Sequence, residues 1–215
     1  MTSVKWLILM LAVLPAVLAQ PATAPATLAT PRDAVTALAT AMEVANGEQI
    51  RQVLYARSRS EEKMVDAMVA MSQAVSRLKG KALEAFGPAG AEELIGDTSA
   101  LTSEATRQLK SAAEKIAGDV ATLTVPDNST PPVVLKRIND QWRIPISELT
   151  KGIPPAEFDQ RVAALVAQVA ILNLTSDQIA ANRFHTGQEA AEYMHKQMLA
   201  AAAVPTTNPS NTRPP

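Results

Sequence analysis

Val133-Val-Leu-Lys-Arg-Ile138, Asn139-Asp140 and Gln141-Trp142-Arg143-Ile144-Pro145-Ile146 form the stretch that decides the fold class. The first run is rich in β-branched residues, the pair after it is a tight turn, and the last run alternates. Trp142, Ile144 and Ile146 share one face of that alternation. Pro145 points the other way and has no N–H, so this strand is expected at a sheet edge or to end there. Upstream, Val120 to Val125 reads as another strand, and Pro126-Asp-Asn-Ser-Thr-Pro131 as the turn cluster between them. Glu114 to Ala117 pairs back through Gly118-Asp119 or else finishes the preceding helix. The expectation is an antiparallel meander of three or four strands.

On both sides of the meander the period changes to that of helices. Thr30-Pro31 opens the first, since Pro suits the first helical position. Val35, Leu38 and Met42 fall on one face, and Asn46-Gly47 closes it. A short apolar segment with Ile50, Val53 and Leu54 follows. Ser58-x-x-Glu61 is a capping box. Behind it Met64, Met68, Met71, Val75, Leu78, Ala82 and Phe86 recur in steps of four and three, the clearest amphipathic stripe in the chain. Gly87-Pro88 is expected to stop that helix, with a looser helical stretch through Leu94, Leu101 and Leu109. After Pro154-Pro155 a second stripe runs through Phe158, Val162, Leu165, Val169 and Leu172. Thr186-x-x-Glu189 caps a last helix carrying Met194 and Met198. Helices, meander, helices is an α+β order, mostly helical, with long amphipathic helices covering the small sheet.

The ends read differently. Lys5 followed by the apolar run Trp6 to Ala19, with Val17-Leu18-Ala19 at its close, has the pattern of a secretory signal peptide. Its 14 residues fall short of the roughly 20 that span a bilayer. Retention as an anchor is the competing reading. Residues 20–30 form a Pro/Ala/Thr linker, and residues 204–215 a Pro-rich tail; neither has the apolar content to fold. The folded unit is expected at 31–203, as a single domain. The chain has no cysteine. An exported protein so composed has neither disulfides nor a lipidated cysteine, which points to a periplasmic or extracellular location. The net charge of −1 suggests no polyanionic partner. With 47% hydrophobic but only 3% aromatic residues, the core must be built from Ala, Val, Leu and Met.

A helix ending in Asn46-Gly47-Glu48, a short helix reaching Leu54-Tyr55, Gly118-Asp119-Val120-Ala121 and the closing strand Asp140-Gln141-Trp142-Arg143-Ile144 together resemble the nuclear-transport-factor-two-like superfamily, which includes ketosteroid-isomerase-like cone folds. The resemblance covers residues 33–56 and 112–147. It implies a pocket between helices and sheet. The family's catalytic acid and hydrogen-bond donor match no position here. The Met-striped helix and the helices after residue 155 depart from the family pattern.

Candidate chemistry is sparse. His185 and His195 are the only histidines and are not at metal-ligand spacing. His185 falls in the loop before a cap, His195 on a helix face. Met64, Met68 and Met71 with Met194, His195 and Met198 are soft ligands that suit Cu(I). Methionines on an apolar stripe are more simply core filler. No nucleophile elbow or phosphate loop is present. Glu61-Glu62 and Glu92-Glu93 suit helix starts. Arg51, Arg57 and Arg59 have no interleaved aromatics, so no nucleic-acid partner is implied. No cofactor is implied either. The expectation is an exported, non-enzymatic binding or interaction protein of a bacterial cell envelope, its partner another envelope protein or a small ligand. Trp142, Tyr55 and His185 are the candidate binding residues. A small cone-fold enzyme with a His, Tyr or acid base is the alternative, and a Met-based copper-handling protein a further one.

Overall fold

The computed structural model describes residues 28–96, 107–108, 111–126 and 131–203. The signal-peptide run, most of the linker, the tail, Leu101 and Leu109 lie outside them. The element order is α1 (Pro31–Glu43), α2 (Gly47–Val53), β1 (Leu54–Tyr55), α3 (Arg59–Ile95), β2 (Ala113–Ala117), β3 (Val120–Thr124), β4 (Val133–Ile138), β5 (Gln141–Pro145), α4 (Ile146–Leu149), α5 (Pro155–Ala180) and α6 (Gly187–Ala203). The class is α+β with long helices, as the periodicity implies.

The sheet has five strands in the order β1-β5-β4-β3-β2 and is mixed rather than a pure meander. β2 to β5 run antiparallel, while β1 pairs with β5 in parallel, Leu54 opposite Ile144 and Tyr55 opposite Pro145. β5 is therefore not an edge strand. Pro145 instead ends it, and Ile146 opens the turn α4. The β4–β5 hairpin closes through Asn139 and Asp140, both at positive φ (50° and 60°), the two-residue turn that matches strand twist. Alternation is clean in β3, β4 and β5: Ala121, Leu123, Val133, Leu135, Trp142 and Ile144 are buried, and their neighbours on the other face are partly exposed, Pro145 excepted. β2 is exposed along its length, as befits an edge strand that overhangs the helical cover.

The cover is not the Met-striped helix. α1 and α2 are the helices that pack on β5, with α1 reaching β3 as well, whereas α3 packs mainly on α5 and α6. Arg32 of α1 fixes that cover to β2, with its guanidinium 3.3 Å from Glu114 and bonded to the Ala112 carbonyl. Leu28, in the stretch read as linker, is buried, and its carbonyl accepts the Trp142 N–H at 2.9 Å. Thr30 then caps α1 in a complete box. Its hydroxyl accepts from the Asp33 N–H, and the Asp33 carboxylate accepts from the Thr30 N–H, both at 3.1 Å.

Gly87-Pro88 ends the Met-striped helix as expected, and Arg59–Ile95 is two helices joined across a kink. Gly87 adopts φ 70°, and Pro88 restarts the helix where no N–H is needed, so the element continues to Ile95. Met64, Met68, Met71, Leu78 and Ala82 are buried along the predicted stripe. Ser72 beside them is buried too, its hydroxyl donating to the Met42 carbonyl at the end of α1 (2.7 Å). α5 runs beside α3 in the same direction: Tyr55 sits by Pro145, Arg77 bonds Asp177 at 2.6 Å, and Gly90 meets Gly187. α6 then turns back on both helices, its entry fixed by Phe184 against Tyr193 (ring centroids 5.3 Å apart).

Candidate functional site

Trp142 packs inward. It is only 5% exposed, on the sheet face turned to α1, and belongs to the core. Tyr55 is half-buried on β1, on the opposite sheet face beside Pro145. His185 is exposed in the α5–α6 loop, where its backbone N–H donates to the Glu189 carboxylate at 2.8 Å. Tyr55 lies just before α3 begins and His185 near its Gly90 end. At 1.5 Å rise per residue, that separates them by on the order of 40 Å. The structure does not bring the three predicted residues together.

The methionine set is divided by burial, with Met194 and Met198 half-buried against the core. Met64, Met68 and Met71 are each 2% exposed and packed in the core, whereas His195 faces solvent from α6. Among the described residues no group of three or more His, Cys, Asp or Glu is gathered.

Two surfaces remain. The first is the sheet face turned away from α1. A groove of about 250 Å³ opens at its end, between Pro131–Val134 and Glu148, Leu149 and Lys151 of the turn after β5. That is smaller than the roughly 300–1,000 Å³ of ordinary small-molecule pockets. Strand alternation continues the surface from Val134 to Lys136 on β4, Arg143 on β5, Thr122 on β3 and Lys115 on β2. The register sets Lys136 directly opposite Arg143, and Thr122 between Lys115 and Val134. Gln141 Oε1 accepts from Arg143 Nη2 at 2.9 Å, but Arg143 Nε and Ser147 Oγ are buried with no hydrogen-bond partner.

The second surface is the outward face of α5. The most apolar 18-residue window of Glu157–Ala180 has a mean hydropathy of 1.4, yet only 33% of that window is buried. Val162, Leu165 and Leu172 face the core as the stripe requires. Ala163, Val166 (55% exposed), Ala167, Ala170 and Leu174 (41%) face outward. No charged residue occurs from Val162 to Ser176. This second stripe is legible at spacings of three and four in the sequence, but the apolar core stripe beside it masks it.

One buried-edge pair is electrostatically perturbed. Partial burial raises the Glu43 carboxyl above its usual value, against the pull of Lys79, and lowers Lys79 despite Glu43. Both groups sit where α1 ends against α3, away from either surface.

No family model matches the chain, and neither a curated protein nor a solved structure matches it.

Proposed function

We propose that this chain is an exported, non-enzymatic interaction module of the cell envelope that works by helix docking through α5. The observation that carries this is a helix apolar enough to be a core helix whose outward face lies open. Export rests on the Lys5 and Trp6–Ala19 pattern alone. The likeness to the nuclear-transport-factor-two-like cone folds is proposed in the same sense, from the motifs of residues 33–56 and 112–147.

The occupant to which the proposal commits is a second copy of α5, crossing antiparallel. With the two-fold axis beside Gln168, Leu174 of each copy meets Ala163 of the other, and Ala167 meets Ala170, large against small. Asp177 then faces Gln160 of the second copy, and Asp159 faces Gln178, so no like charges stack. A parallel pair would set each acid on itself. An anionic membrane is a poor alternative, because three acids, Glu157, Asp159 and Asp177, flank the face, and the cations beside it, Arg161 and Arg77, are paired with Glu157 and Asp177.

The strip is short. Four turns of helix cover about 20 Å, less than a standard interface of about 1,200–2,000 Å² provides, so association is expected to be weak. Sedimentation velocity from micromolar to near-millimolar concentration tests it. A monomer–dimer equilibrium abolished by Val166→Glu, with the circular dichroism unchanged, supports the reading. A wild-type monomer throughout the range refutes it, and flotation with anionic vesicles would move the docking to a lipid surface.

A further inference from the structure

We propose that the sheet face turned away from α1 holds a small oxyanion, a phosphate or carboxylate group, between Lys136 and Arg143. The two cations are directly opposed on neighbouring antiparallel strands, where opposite Cα atoms lie about 4.5–5.5 Å apart and like charges repel. Among the described residues no carboxylate of the strands compensates them on that face. Among the described residues of the five strands, the one carboxylate is Glu114, which alternation turns to the other face and which pairs with Arg32. Asp119 and Asp140 occupy the hairpin turns, and Asp140 is taken by Arg137 at 3.4 Å. Glu148 stands at the groove rim with Lys151.

Arg143 adds a second, independent sign. Its Nη2 is held by Gln141, which fixes the plane of the guanidinium, while the Nε N–H is buried with no acceptor. A buried donor without a partner is costly, and an oxyanion supplies the missing acceptor as well as the missing charge. Lys136 contributes a point charge from the facing strand. Thr122 and Lys115, one row along the sheet, extend the same potential toward β2. A guanidinium held in plane selects oxygen pairs of fixed spacing, so chloride is not an equivalent ligand.

Titration of the whole chain at constant ionic strength with sodium phosphate, sodium acetate or sodium chloride, followed by ¹H–¹⁵N NMR, decides the matter. The reporters are the Arg143 Nε–Hε resonance and the amides of β4 and β5. Saturable shifts with phosphate or acetate, and none with chloride, are expected, at a dissociation constant on the order of 1 mM. Saturation by phosphate alone assigns a tetrahedral anion, and by acetate alone a carboxylate. Lys136→Gln should weaken binding at least about fivefold. It should also raise the urea midpoint in chloride buffer, because it removes the repulsion. Arg143→Lys keeps the charge and loses the fork, and serves where Arg143→Gln does not fold. Shifts linear and equal in all three salts, or a Lys136→Gln chain that titrates like wild type, overturn the proposal.

Discussion

Replacing Gly187 by alanine adds one methyl group at the tightest point of the molecule. A Cβ there would lie 1.8 Å from the Gly90 carbonyl oxygen, 2.6 Å from its carbon and 2.9 Å from its Cα. All three are backbone atoms of α3, so no rotamer change relieves the clash. Carbon approaches a carbonyl oxygen no closer than about 3.3 Å, so the start of α6 must retreat by roughly 1.5 Å. Overpacking of this kind costs about 1–3 kcal/mol, and the upper part applies where backbone meets backbone. The gain of about 1 kcal/mol in helix propensity from Gly to Ala offsets part of it, leaving a net loss of about 1–2 kcal/mol. Gly80→Ala is the matched control. It makes the same chemical change in mid-α3, exposed, with nothing within 4 Å of the new Cβ. There only the propensity acts, and stability should rise by about 0.5–1 kcal/mol. Urea unfolding followed by circular dichroism reads both as shifts in midpoint at unchanged slope. A rise in midpoint for Gly187→Ala, as for Gly80→Ala, would show that Gly90 and Gly187 are not in contact, and the packing of α6 on α3 would have to be redrawn.

Met71→Ala, at a fully buried position of the α3 stripe, should cost about 2–5 kcal/mol in the same assay; a loss below 1 kcal/mol would place Met71 outside the core. Thr30→Ala removes the oxygen that caps α1 and should cost about 1 kcal/mol, with Thr30→Ser retaining most of it. Glu43 is raised, so its contribution to stability is full below the unfolded carboxyl value and lost as pH rises through the folded one. Glu43→Gln should therefore be more stable than wild type at neutral pH, by a small margin given its exposure. The difference should vanish in acid; a larger difference at acid pH than at neutral would reverse the sign of the burial argument.

Much of the fold was legible where a local signal dominates. The three capping sites at Thr30, Ser58 and Thr186 start α1, α3 and α6, and each hydroxyl accepts the backbone N–H three residues on. At Ser58 and Thr186 the glutamate reaches the N–H one residue before the cap, at Arg57 and His185, instead of the cap's own. Strand alternation placed Trp142 and Ile144 on one face correctly, but alternation does not say whether that face meets solvent or helices. β1 escaped notice because two residues carry no period, and its pairing with β5 is fixed only in three dimensions. Gly87-Pro88 reads as a helix end and is one; what the sequence leaves open is that the next helix packs inward through Ala91 and Leu94. The candidate site was read least well. Tyr55 does lie on the cationic sheet face, but Lys136 and Arg143 of that face become neighbours of each other only through the register of β4 and β5.

The parallel pairing of β1 with β5 also constrains the order in which the chain can assemble. Leu54 and Tyr55 are made before α3 and the meander, yet their partners Ile144 and Pro145 come after both. α3 can wind locally, and the β2–β3 and β4–β5 hairpins can close across turns of two residues. β1 has nothing to pair with until those steps are finished, and contacts so distant in sequence are slow to form. Until then the part of the β5 edge at Ile144, beyond the Trp142 N–H that Leu28 takes, stays unpaired, the kind of template that recruits other chains. Two residues of strand thus act as the latch on the sheet, and the interval before they engage is when this protein is most exposed to aggregation.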